Sequence, residues 1–161
     1  MIPSVDMNLV QSCLNLINSL LDPEKVDLKK AATPEKIVIV YFIFSFIWSF
    51  GANLQDDYRP KFNRFLRLKI ASLYTDFPDS GEIYDYCVDG YHRFGTWQER
   101  ITQFSYNKDL QYFSILVPTP DTVKYRFMLE TLVPYGYHTL ITGDTGVGKS
   151  VIVQDFLINA G

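Results

Sequence analysis

"GDTGVGKS", residues 143–150, has the form G-x-x-x-x-G-K-[ST], which is the phosphate-binding loop of ATP- and GTP-using proteins. The motif carries this meaning when a strand precedes it and a helix follows it. "YHTLIT", residues 137–142, predicts a buried strand that enters the loop, and residues 148–158 predict a helix that leaves it. The sequence therefore predicts the start of an α/β unit around a phosphate loop.

The residue types at this spacing account for the chemistry of the loop. Glycines let the backbone turn tightly and bring N–H groups close to phosphate oxygens. Lys149 supplies a charge for the β- and γ-phosphates, and the Ser150 hydroxyl can ligate Mg²⁺. The helix that follows aims its positive end at the same anion. We therefore predict ATP and Mg²⁺ as cofactors, bound by Gly143, Asp144, Thr145, Gly146, Val147, Gly148, Lys149 and Ser150.

The sequence supplies no catalytic set beside the loop. Hydrolysis in phosphate-loop proteins needs a metal-supporting Asp on a later strand and a residue that positions water. Asp155 follows Ser150 within the predicted helix, so it cannot be that Asp. His92 and His138 lack ligand spacing, and we predict a structural role for His138. The expected role is nucleotide binding without a catalytic residue, and whether the chain is an enzyme stays open.

The N-terminal third of the chain predicts two helices, the first over residues 4–21. The second begins with Thr33 as N-cap and Pro34 at the first helical position. It contains "IVIVYFIFSFIWSF", residues 37–50, which carries no charge. A membrane span and a buried core helix both fit this composition. Because the run covers roughly 21 Å against a hydrocarbon core of ~30 Å, its length favours the core helix.

Residues 56–74 predict a third helix with two different faces. The apolar face comprises Phe62, Phe65, Leu66, Ile70 and Leu73. The opposite face carries Lys61, Arg64 and Arg67. A basic stripe can meet phosphates or an acidic partner, but the acidic balance of the whole chain favours a solvated face.

From residue 77 the pattern changes to short aromatic runs separated by Pro, Gly and Asp-Gly. This pattern predicts a hairpin with its turn at Val88-Asp89-Gly90-Tyr91 and strands at residues 83–88 and 91–97. Residues 98–118 are predicted to connect the hairpin to the next helix. That helix, "TPDTVKYRFMLETLV", is expected to be capped by Thr119 and started by Pro120.

The composition bounds the class of protein. With 161 residues and 47% hydrophobic residues, the chain has a globular composition. The net charge of −3 argues against bulk binding to nucleic acid or to an anionic membrane. Cys13 and Cys87 lack metal or redox spacing and are expected to be reduced thiols in a cytosolic setting. The N-terminus lacks the pattern of a signal peptide.

Four segments, taken together, resemble a stretch of a dynein heavy chain. "FIFSFIWSFGANLQDDYRPKFNRFLR" is similar to the helical lid that closes the second AAA+ module of the motor ring, and "FPDSGEIYDYCVD" to the segment after it. "ILVPTPDTVKYRFMLETLV" is similar to the entry of the third module, and "LITGDTGVGKSVIVQ" to its phosphate loop. The segments occur in the family's order and cover nearly the whole chain. The loop sequence resembles axonemal more than cytoplasmic dyneins.

The resemblance implies an α/β fragment: the lid of a preceding module (residues 1–75), a β-containing connector (76–115) and the truncated start of a phosphate-loop module (116–161). It also implies that Val117, Pro118 and Thr119 line the adenine pocket. In this family the third module binds nucleotide and gates an ATP-driven microtubule motor. The implied partners are neighbouring AAA+ modules and, through the full-length parent, microtubules and dynein intermediate and light chains. The implied location is the cytoplasm and cytoskeleton, in the axoneme of a cilium or flagellum.

Two other hypotheses fit the residues. The chain can be a truncated piece of another phosphate-loop ATPase or kinase, or a helical interaction module without catalysis. In the last case helices 4–74 would dock a partner and the loop would be vestigial. An unfinished strand at residues 137–142 and the exposed face of the apolar helix are expected to favour aggregation of the isolated chain.

Overall fold

The computed structural model describes residues 5–101 and 117–159. The chain forms two compact units, Met1–Thr96 and Trp97–Gly161. The first unit contains α1 (Asp6–Leu20), α2 (Pro34–Phe46), a π-helical extension (Ile47–Gly51), α3 (Arg59–Leu73) and the strands β1 (Tyr86–Val88) and β2 (Phe94–Thr96). The second unit contains α4 (Pro120–Leu132) and α5 (Lys149–Asn159). Most of the predicted connecting segment of residues 98–118 lies outside the described residues.

Helix α2 is the core of the first unit. Val40, Ile43, Phe44 and Ile47 are almost completely buried, where the helix contacts α1 and β1. Among the described residues, Pro34–Gly51 is the one helix whose length and composition would allow it to cross a membrane, and half of it is buried inside the protein. Core helices of soluble proteins pass the same test, and the burial of Val40, Ile43 and Phe44 agrees with the predicted core helix.

Side-chain hydrogen bonds to backbone carbonyls stabilise the π-helical extension and its junction with α2. The Ser49 hydroxyl donates to the Ser45 carbonyl at 2.7 Å, and the Asn53 amide donates to the Ser49 carbonyl at 2.9 Å. Gly51 is the last residue of the extension. A Cβ atom at Gly51 would lie 2.7 Å from Cε1 of Phe62 and 2.8 Å from Oη of Tyr84. The close approach of these two rings therefore requires glycine here.

The side chains of α3 are not buried and exposed as the sequence predicts. Leu66 and Ile70 are buried as expected, but Phe65 and Leu73 are more than half exposed. Arg67, predicted to lie on a solvated face, instead donates hydrogen bonds to the carbonyl oxygens of Pro78, Ser80 and Gly81 at 2.8–3.0 Å. That prediction is wrong for Arg67, because three carbonyls of the next segment converge on its guanidinium. Its five N–H donors suit such a cluster of acceptors.

The β1–β2 hairpin confirms the predicted antiparallel pair, in shorter strands, with Cys87 opposite Gly95. The turn includes Asp89 and Gly90 as predicted, but it is shifted by one residue, because the amide of His92 donates to the carbonyl of Asp89 at 3.1 Å. The loop spans Gly90, Tyr91 and His92, and His92 takes the left-handed conformation with φ of 60°. The Asp89 carboxylate fixes this loop by accepting the N–H groups of Tyr91 and Arg93, both at 2.8 Å. Nδ1 of His92 lies 2.9 Å from the Tyr41 hydroxyl of α2, which ties the loop to the core helix.

The two cysteines are buried, but the last predicted strand is not present. Cys13 and Cys87 are both buried, and neither forms a disulfide. Residues 137–142 do not form the predicted buried strand, and Leu140 is 79% exposed. A strand needs a neighbour to complete its hydrogen bonds, and among the described residues the one sheet is the β1–β2 hairpin. The predicted helices are all present, with bounds shifted by a few residues.

Gly51→Ala is expected to destabilise the protein by about 1–3 kcal/mol, because the added methyl group clashes with the rings of Phe62 and Tyr84. Chemical denaturation of the full chain measures this change. Gly90→Ala is the matched control, since no heavy atom lies within 4 Å of its Cβ position and its φ is not positive. Equal stability of both variants would show that the rings do not pack against Gly51.

Stability is also expected to fall above pH 10 through Tyr84. Burial raises the pKa of Tyr84 from its usual value near 10 to about 12. The folded state therefore holds the phenol proton more tightly than the unfolded state, so the contribution is fully present below pH 10 and lost as pH rises towards 12. The difference in unfolding free energy between Tyr84→Phe and the unaltered protein should change by about 2–3 kcal/mol over this range. A constant difference would contradict this account.

Candidate phosphate-binding site

Residues 143–148 form an exposed loop that leads directly into α5. Gly146 and Gly148 have φ of 85° and 82°, in the left-handed region that favours glycine. A Cβ atom at either position would meet no heavy atom within 4 Å. The backbone conformation, and not a shortage of space, therefore requires glycine at these two positions. The open space in front of them leaves room for a ligand to approach the main chain.

Lys149 follows the loop in sequence, and its side chain bonds back to the start of the loop. Its ammonium donates hydrogen bonds to the carbonyl oxygens of Gly143 at 3.0 Å and Asp144 at 2.5 Å. Lys149 is the first residue of α5, and the amide of Ile152 donates to the carbonyl of Gly148 at 3.2 Å. The helix thus begins where the loop ends. The first N–H groups of a helix have no partner within it, and they give this end a partial positive charge.

The donor set suits a phosphate group with Mg²⁺. One ammonium, the free N–H groups of a helix N-terminus and the exposed Ser150 hydroxyl lie within a few residues of one another. Asp144 is the one carboxylate within the loop sequence. A cation can therefore be held by a hydroxyl and phosphate oxygens, as Mg²⁺ prefers, with few protein ligands. Among the described residues, no cluster of three or more His, Cys, Asp or Glu side chains can hold a metal ion.

A cleft of about 670 Å³ adjoins the loop. Lys149 and Ser150 line it together with Tyr137, His138 and Val153. The sequence pattern predicts a strand that includes Tyr137 and His138, and it predicts no ligand-binding role for either residue. Their position a few residues before the glycine loop could have indicated that they lie near the site. His138 is exposed and lines the same cleft as Lys149.

The three residues expected to line an adenine pocket lie elsewhere in the second unit. Val117 is 53% exposed, and Pro118 lines a different cleft of about 420 Å³ with Thr122, Arg126 and Phe127. The lining residues of this cleft do not include Lys149 or Ser150. Helix α4 contributes to both clefts, through Leu129 on one and Arg126 on the other.

Thr119 caps α4 as predicted, and Pro120 begins the helix. The Thr119 hydroxyl accepts the amide of Thr122 at 3.2 Å, and the Thr122 hydroxyl accepts the amide of Thr119 at 2.8 Å. These reciprocal bonds satisfy two amides at the start of the helix. The Thr119 hydroxyl is thus engaged in capping, next to the cleft lined by Pro118.

Two contacts join α4 to α5. Leu129, Ile152 and Phe156 form a buried cluster between the helices. Beside it, Arg126 of α4 pairs with Asp155 of α5, with 2.6 Å between Nη1 and Oδ2. Arg126 also pairs with Glu130 at 2.7 Å within α4. The hydrogen bond to Glu130 and the charge of Asp155 raise the pKa of Arg126.

A phosphate-loop motif at the start of a helix, preceded in the chain by a helical unit, is the combination found in P-loop motor ATPase modules. The family model for the "Dynein heavy chain AAA lid domain" matches residues 1–99, and that for the "P-loop containing dynein motor region" matches residues 104–161. The chain belongs to the dynein heavy chain family. These matches confirm the resemblance, including a lid followed by a phosphate-loop region.

Individual relatives agree with the family models. The chain is 36% identical over 160 residues to human dynein axonemal heavy chain 6, a match that covers 97% of this chain and 4% of the relative. It is 32% identical over 165 residues to the ciliary dynein beta chain of Heliocidaris crassispina, covering 99% of this chain and 4% of the relative. The flagellar inner arm I1 dynein-1-beta heavy chain of Chlamydomonas reinhardtii is 37% identical over 127 residues. This match covers 78% of this chain and 3% of the relative. The chain therefore spans about one twenty-fifth of the length of its first relatives.

Replacing the cap of α4 is expected to loosen its first turn. Thr119→Ala removes the acceptor for the Thr122 amide and should cost about 1 kcal/mol. Amide hydrogen exchange followed by mass spectrometry should show faster exchange at the start of α4. Thr119→Ser keeps the hydroxyl and is the matched control. Unchanged exchange in Thr119→Ala would mean that the capping bonds do not stabilise this helix.

Proposed function

We propose that this chain is an ATP-binding segment of a dynein heavy chain motor ring. Residues 143–150 bind the phosphates, Lys149 contacts the β- and γ-phosphates, and Ser150 ligates Mg²⁺. The observation that carries the proposal is the position of Lys149, whose ammonium lies over a glycine loop at the start of α5. The charged side chain, the left-handed glycines and the helix N-terminus all favour an anion at this one place.

Binding would exchange one set of acceptors of Lys149 for another. Its ammonium is hydrogen-bonded to two neutral carbonyl oxygens. Phosphate oxygens are charged acceptors and form stronger hydrogen bonds with an ammonium than carbonyls do. The exchange is therefore favourable and needs only a small rotation of a flexible side chain. Bound Mg·ATP would supply a phosphoanhydride, and the residues of this chain would bind and orient it.

We further propose how the chain contributes to the parent motor. Residues 1–75 form the lid of one AAA+ module, residues 76–115 connect it to the next, and residues 116–161 begin the phosphate-loop module. Hydrolysis by such a module needs residues on later strands. This segment therefore contributes nucleotide binding to the module. Val117, Pro118 and Thr119 are proposed to contact adenine, which the place of Pro118 in a cleft supports.

The names of the relatives support the cellular role. They are axonemal, ciliary and flagellar dyneins. We therefore propose that the parent protein is an ATP-driven microtubule motor of the axoneme. Its partners would be neighbouring AAA+ modules, microtubules, and dynein intermediate and light chains.

Lys149→Ala tests the proposal in the full-length protein. The number of molecules of a fluorescent ATP analogue bound per chain at saturation should fall by one, because the loop loses its only ammonium. Lys61→Ala, an exposed lysine in the first unit, should leave the number unchanged. An unchanged number in Lys149→Ala would refute nucleotide binding at this loop.

A further inference from the structure

We propose that Arg126 positions the phosphate loop through its ion pair with Asp155. The inference rests on the proposed function. Arg126 and Asp155 line the same cleft as Pro118, and the role assigned to them acts through the orientation of α5 and not through contact with adenine. Arg126 belongs to α4, and Asp155 belongs to the helix that starts with Lys149 and Ser150. The ion pair would hold α5 in the rotation and height at which these two side chains face a phosphate.

The apolar contact between the helices cannot define that orientation alone. Leu129, Ile152 and Phe156 hold α5 against α4, but hydrophobic burial is non-directional and tolerates a small slide or rotation. The ion pair is directional, with 2.6 Å between Nη1 and Oδ2. Its side chains are 36% and 23% exposed, so the pair is less screened by salt than a fully exposed one.

Arg126 is suited to be the fixed partner. Its Nε atom donates to Glu130 at 2.7 Å, one helical turn further along α4, and this bond orients the planar guanidinium. The remaining N–H groups then point in a defined direction, and Asp155 lies on that side. The start of α4 is fixed by the reciprocal bonds of Thr119 and Thr122. The guanidinium is therefore anchored on one helix while it reaches the other.

Asp155 lies close enough to the start of α5 for its ion pair to determine the orientation of Lys149 and Ser150. It follows Ser150 by five residues, which is about 7.5 Å along a helix axis. A helix segment of this length behaves as a rigid body, so a rotation at Asp155 moves Lys149 and Ser150 by the same angle. Losing the pair should therefore weaken phosphate binding even though both charges lie away from the loop sequence.

The test measures ATP binding at this site in the full-length protein. An amine-reactive acylating reagent modifies Lys149, and ATP with Mg²⁺ should protect it. Mass spectrometry gives the ATP concentration that halves the modification, with the exposed Lys61 as an internal standard. In Asp155→Asn this concentration should rise about 3- to 10-fold. Asp155→Glu keeps the charge and should restore most of the affinity.

Glu130→Gln is the matched control. It removes the charge of the other partner but keeps an amide oxygen that can accept from Nε. The guanidinium therefore stays oriented towards Asp155, and the half-protecting concentration should change less than about 2-fold. The double variant Arg126→Gln/Asp155→Asn should lose no more affinity than the stronger single variant, because both act through one bond. Additive losses would overturn the proposal.

A purely structural ion pair gives a different result. Asp155→Asn would then lower the melting temperature without changing the ATP concentration that protects Lys149, and this outcome would overturn the inference alone. If ATP fails to protect Lys149 in the unaltered protein, the proposed function fails and the inference fails with it. The two failures are thus distinguishable within one experiment.

Discussion

The packing of α5 on α4 is the constraint on which the phosphate loop depends. Leu129, Ile152 and Phe156 are each at most 6% exposed, and they hold in place the helix whose first two residues are Lys149 and Ser150. Without this contact the loop would have no fixed end. A glycine-rich segment is flexible, and it becomes a site only when the helix after it is held. The ion pair of Arg126 with Asp155 adds direction to a contact that burial alone leaves adjustable.

The first unit depends on a different contact, at the end of its core helix. The Tyr84 hydroxyl donates to the Gly51 carbonyl at 3.1 Å, where the π-helical extension ends. Arg67 and His92 make similar long-range bonds, one to the carbonyls after α3 and one to Tyr41. The small hairpin is thus held by polar bonds as well as by its buried residues. This arrangement makes a lid unit from three helices and two short strands.

The sequence predicts features that depend on neighbouring residues. The helices, the cap at Thr119, the core position of residues 37–50 and the glycine loop follow from patterns a few residues long. The bonds of Arg67 could not be predicted, because its acceptors lie 11 to 14 residues away and are backbone atoms. The hairpin turn is predicted one residue too early because the Asp89 side chain, and not Gly90, fixes it. For residues 137–142 an apolar pattern predicted a strand, but a strand also requires a partner.

We propose that residues 143–150 form a phosphate site at the start of α5. A structure of the full-length protein with Mg·ATP tests it most directly. Phosphate density should lie against the main chain of Gly146 and Gly148, with Mg²⁺ beside the Ser150 hydroxyl. The Lys149 ammonium should have left the carbonyls of Gly143 and Asp144 for the phosphates. Density for nucleotide elsewhere, with Lys149 still bound to those carbonyls at saturating ATP, would contradict the account.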